Sequence, residues 1–111
     1  MNHTHDHVKE VDPHFFSLVL SLSSAAMQQL GKIPNPMSQK VEKNLVQAQM
    51  TIDMLLMVKN KTAGNLSPKE DQLIKSSLSD LQLNYADEVE KANKSRENAA
   101  KEEPPQKDQQ T

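Results

Sequence analysis

The chain has 111 residues, room for one small domain, with no Cys, no Trp, two Gly and three aromatic side chains, Phe15, Phe16 and Tyr85. Lacking Cys, it has no disulfide and no thiolate metal site, and so few aromatic and Gly residues exclude an all-β sandwich or barrel in favour of helices. Thirteen Lys and Arg against 15 Asp and Glu leave a net charge of -2, and Arg96 is the single Arg, so no basic nucleic-acid face is expected.

Residues 1–12 read as a flexible polar tail. His3, His5 and His7 lie in it, and imidazoles at alternate positions can chelate a divalent transition metal. A dedicated site needs fixed geometry and supporting hydrogen bonds, which a tail lacks. No metal site is therefore assigned, and these three are only weak candidate ligands. The run from Phe15 to Met27 is not a secretory signal, because Asp6, Glu10 and Asp12 precede it with only Lys9 against them. It is too short to span a bilayer. A cytoplasmic protein is expected, with no stable membrane insertion.

Asp12-Pro13 predicts a helix start: Asp12 can cap a first-turn amide, and Pro13 at the first helical position loses no hydrogen bond. The first helix is predicted over about 13–30, with Phe15, Leu18, Val19, Leu22, Ala26 and Leu30 on one face and Phe16, Leu20 and Met27 off it. Ser17, Ser21, Ser24 and Gln28 form a polar stripe between, read as the side facing water or a close contact with another helix. Gly31 stops the helix, and Ile33-Pro34-Asn35-Pro36 forces an extended connection.

The second helix is predicted over about 41–62, with Leu45, Ala48, Ile52 and Leu55 as its core stripe and Met50, Met54 and Met57 as a second stripe beside it. Asp53 within that run reads as an edge residue in water. Lys59 and Lys61 favour the helix C-terminus, and Gly64 is placed to take the left-handed conformation that terminates the helix. Ser67-Pro68-Lys69-Glu70 is a capping box with Pro at the first position. It opens a third helix over about 68–95, with Ile74, Leu78, Leu81 and Tyr85 on one face and acid-first i,i+4 pairs such as Asp87/Lys91 beyond. Residues 96–111 read as a polar disordered tail.

The expected fold is thus all-α: a small three-helix bundle over 13–89 with disordered N- and C-terminal tails. A domain this small is marginal alone and benefits from a partner chain.

Phe15-Phe16-Ser17-Leu18-Val19-Leu20-Ser21-Leu22, then Leu30-Gly31-Lys32-Ile33-Pro34-Asn35-Pro36, Asn44-Leu45, and above all the run TIDMLLMVKNKTAGNLSP starting at Thr51, followed by Leu81 to Tyr85, occur in an order that resembles the bacterial family catalogued as domain of unknown function 1844. The resemblance covers about residues 15–86. The family pattern places an Arg near Gln82, where this chain has none. The resemblance implies a small helical bacterial protein and supplies no activity, cofactor or catalytic residue.

No catalytic residue and no cofactor are assigned. Nucleophilic catalysis needs a base and an orienting group beside the nucleophile, and His14 is the one His inside the expected fold. An enzyme would require His14, Asp53 and Tyr85 to converge on one pocket. The expectation is a non-enzymatic interaction or oligomerisation module that binds a protein partner or further copies of itself. Its expected surface is Phe16, Leu20, Met27, Met50, Met54 and Met57, since Met is unbranched and polarisable and suits a deformable contact. The alternative is a divalent-metal-handling protein using the histidine tract.

Overall fold

The computed structural model describes residues 10–102, in which three α-helices and no strand occur: α1 Pro13–Gln29, α2 Leu45–Lys61 and α3 Pro68–Glu102. The three helices pack into one core of Val19, Ala26, Leu30, Ala48, Ile52, Leu55, Ile74, Leu78 and Leu81, all buried. Phe15, Leu22, Leu45, Leu73 and Tyr85 pack partly buried around it. The spacing of three or four residues along each helix is what delivers these side chains to one interior.

Each helix begins where its local chemistry satisfies the free first-turn amides. Asp12 accepts a 2.7 Å hydrogen bond from the His14 N–H, with Pro13 first in α1. At α3, the Ser67 Oγ accepts from the Glu70 N–H at 3.2 Å and Glu70 Oε1 accepts from the Ser67 N–H at 2.9 Å, the reciprocal capping box. The same box holds the start of the chain. Ser67 Oγ donates to the Glu10 carbonyl, and the Asp12 N–H donates to Glu70 Oε2 at 2.8 Å. Residues 10–12, expected within a flexible tail, are therefore fixed against α3. Residues 1–9 and 103–111 lie outside the described residues, whereas residues 96–102, expected in the C-terminal tail, are helical.

The end of α1 is a Schellman motif. The Lys32 N–H donates to the Met27 carbonyl and the Gly31 N–H to that of Gln28, with Gly31 at φ +79°. A Cβ at Gly31 would stand 3.3 Å from the flexible Lys43 side chain, so the positive φ is what calls for glycine here.

Two helix boundaries differ from the expected ones. α2 begins at Leu45 rather than near residue 41, because Asn44 is its cap, accepting from the Gln47 N–H at 3.0 Å. The Asn44 N–H also donates to the Gln29 carbonyl at 2.7 Å, pinning the start of α2 to the end of α1. α3 does not stop near 95 but continues to Glu102. No Gly or Pro interrupts it, and Asp87/Lys91 and Glu90/Lys94 ion pairs lie along it. Its 35 residues span about 52 Å against about 25 Å for either 17-residue partner, so its last turns project from the bundle.

Candidate functional site: an uncharged outer face on the first two helices

α1 carries no Asp, Glu, Lys or Arg along its 17 residues. A helix on the outside of a small domain ordinarily carries charges on its water side. Here that side holds Ser17 and Ser21 with exposed apolar shoulders: Phe16 is 45 %, Leu18 44 % and Leu20 53 % exposed. Leu18, expected in the core, is thus on the surface. Val19 and Leu22 take the inward positions at the three-to-four spacing, and Leu18 falls about 100° round from Val19. Met27, expected on the interaction surface, instead packs half-buried against the core, because its level of α1 is enclosed beside buried Ala26 and Leu30.

α2 supplies the neighbouring strip. Met50, Met54 and Met57 are 58 %, 46 % and 49 % exposed. Two bonds from Gln29 set how the helices adjoin. Its carbonyl accepts from the Asn44 N–H, and its side-chain oxygen lies 2.7 Å from the buried Thr51 hydroxyl. Gln29 therefore marks the flank of α1 that meets α2. Leu18 lies only about 20° from that flank, whereas Phe16 and Leu20 lie about 140° and 180° away. The expected surface is consequently divided. Leu18, Ser21 and the three Met share the outer side of the α1–α2 layer, and Phe16 and Leu20 occupy the other shoulder of α1.

Asp53 is exposed at the edge of this strip and accepts from Gln49 Nε2 at 3.0 Å. His14, Asp53 and Tyr85 do not meet. His14 is exposed beside Asp12, which bonds to Glu70 at the start of α3, and Tyr85 lies about 22 Å further along that helix. Among the described residues no group of three or more His, Asp or Glu could hold a metal ion. His3, His5 and His7 lie outside the described residues.

Opposite the capping box, at the other end of the bundle, the connection between α1 and α2 is clamped to α3 by ions. Glu88, only 4 % exposed, takes Lys32 Nζ at 2.7 Å, Lys43 Nζ at 2.6 Å and Lys91 Nζ at 3.3 Å. Asp87 takes Lys32 and Lys91, each at 3.2 Å. The hydrogen bond from Lys32, then that from Lys43, holds the Glu88 carboxyl down from 4.5 to about 2, although burial opposes this. Asp87 is lowered by Lys32 and then Lys91. Lys32 is raised chiefly by Glu88, and Lys91 chiefly by Asp87. Every acid here is met by an ammonium, so the cluster ties down a loop and leaves no group poised as a base. Beside it an open cleft of about 380 Å³ is lined by the amides of Gln28, Gln29, Asn35, Asn44 and Gln47 and by Glu42 and Lys43, which are already bonded to Asn35 and Glu88. These offer hydrogen bonds but no nucleophile–base pair.

Glu88, Lys32, Lys43 and Thr51 were missed by sequence reasoning. Only the local Asp87/Lys91 pair had a visible spacing; the others find partners across the fold.

The family model described as Domain of unknown function (DUF1844) matches residues 12–87. The chain belongs to this family. The DUF1844 match opens on the Asp12 cap and closes at Asp87, so it takes in all of α1 and α2 and the part of α3 that packs on them. The projecting end of α3 lies beyond it. Comparison with curated proteins and with solved structures found no match. No helix among the described residues is long and apolar enough to cross a membrane.

Proposed function

We propose that this DUF1844 protein is a non-enzymatic helical interaction module of the cytoplasm, working through the outer face of α1 and α2 by docking another protein chain. The observation that carries the reading is a helix without a charged residue whose Leu18 stands about half in water beside three half-exposed Met. Contiguous apolar surface of this kind is costly to leave open and marks contact sites. Met adapts its shape to a partner at little cost. A lipid surface is the weaker occupant, because Lys59 and Lys61 are the only cations on α1 and α2, where interfacial helices carry many. The absence of Cys suits a reducing compartment.

Peroxide footprinting tests this reading. Met37, 91 % exposed in the connection, serves as the internal standard. In dilute purified protein, Met50, Met54 and Met57 are expected to oxidise within a few-fold of Met37, and in the producing cell roughly tenfold more slowly relative to it. Equal ratios in the two settings would overturn the proposal.

A further inference from the structure

Building on that docking reading, we infer that the occupant of the α1–α2 outer face is a second copy of this chain, related by a twofold axis parallel to the helices, with α1 of each copy on α2 of the other. Three observations carry it.

The first is register. α1 and α2 run antiparallel, and the Gln29 contacts to Asn44 and Thr51 place residue n of α1 level with about residue 76 − n of α2. Ser17, Ser21 and Ala25 form a ridge of small side chains along the outer side of α1. Met57, Met54 and Met50 form a ridge of long ones on α2, at the same three levels to within about two residues. A twofold axis parallel to the helices keeps levels and exchanges the ridges. Each Met of one copy then enters the space left by a small residue of the other, and neighbouring helices alternate in direction as in a four-helix bundle.

The second is charge. A self-contact sets each surface against itself, so a charged stripe would repel its own copy. α1 is free of charge over its whole length, and this arrangement puts Asp53 against the uncharged α1 of the partner rather than against its counterpart.

The third is composition. The remaining segments of this chain are poor candidates to cover the face. Residues 1–9 contain only Met1 and Val8 as large apolar residues, and residues 103–111 contain none. The face is about 25 Å long and two helices wide, on the order of 600 Å² per copy, at the lower end of what a specific dimer buries.

Because the chain has no Cys, single cysteines report the geometry cleanly. Ser21→Cys and Met54→Cys alter exposed positions. Under mild oxidation, a mixture of the two variants is expected to give a disulfide-linked dimer, and either variant alone is not. Sedimentation of the wild type at about 100 µM is expected to show a dimer, with association weakened at least tenfold by Leu18→Glu. A monomer at that concentration would overturn the second-copy inference and leave the docking reading to the footprinting. Linkage of Ser21→Cys with itself would overturn the proposed axis. A dimer unaffected by Leu18→Glu and unlinked in the mixture would show that this face goes unused in self-association, overturning the inference; if Met50, Met54 and Met57 are also unprotected in the cell, the docking reading falls with it.

Discussion

Leu55→Ala is expected to lower the unfolding free energy by about 3–4 kcal/mol, read as a shift of the urea midpoint with the slope unchanged. Leu55 is fully buried at the centre of α2, in the same core as Leu30, Val19 and Ile74. Truncation removes one methine and two methyl carbons from apolar surroundings and leaves a cavity that rigid neighbouring helices cannot close. A bundle of three helices with one small core has total stability toward the low end of about 5–15 kcal/mol. The loss is therefore a large share of the whole, and substantial unfolding at 37 °C is expected. A shift below about 1 kcal/mol would mean that α2 does not sit as described.

Glu88 governs the second large effect, and its sign follows from the direction of its titration. Its folded carboxyl is held at about 2, below the ordinary 4.5, chiefly by Lys32 and then Lys43. A depressed acid stabilises the fold fully above its unfolded value and loses that contribution as pH falls toward the folded one. Stability is thus expected to hold near neutrality and to decline between about pH 4.5 and 2. Glu88→Gln should cost about 1–2 kcal/mol at pH 7, since it takes the carboxylate from Lys43 and leaves Lys32 and Lys91 with Asp87 alone. It should also flatten the acid decline. Urea titrations of both proteins across this range measure the effect. An acid limb as steep in Glu88→Gln as in the wild type would assign the decline to other carboxyls.

These two sites differ in how visible they are in the sequence. Leu55 lies in a stripe with Ala48 and Ile52 whose period alone marks it as core. The helix starts at Asp12-Pro13 and Ser67-Pro68 and the stop at Gly31 were legible for a similar reason: their hydrogen bonds close within a few residues. Glu88 reads as one more acid on a charged helix, and only the folded chain brings Lys32 and Lys43 to it. The same is true of the second role of Glu70, which caps α3 and also receives the Asp12 amide.

The candidate face was legible in part. Phe16 and Leu20 and the Met stripe are apolar residues off the main core line, and they are exposed. Leu18 and Met27 exchanged places with expectation because both sit near the margins of the buried arc. There the tilt of one helix on its neighbours, which periodicity does not carry, decides what faces water. The register between the small ridge of α1 and the Met ridge of α2 depends on how the Pro-containing connection returns the chain, and Asn44 rather than any apolar spacing fixes it.

The central claim is that the outer face of α1 and α2 is surplus to the fold and kept for docking. Urea unfolding of the Leu18→Glu/Met54→Glu double variant beside the wild type, both at about 1 µM where association is negligible, tests it most directly. The two proteins should agree within about 0.5 kcal/mol, as exposed positions do. A loss of about 2 kcal/mol or more in the variant, approaching that of Leu55→Ala, would show that these side chains belong to the interior and contradict the claim.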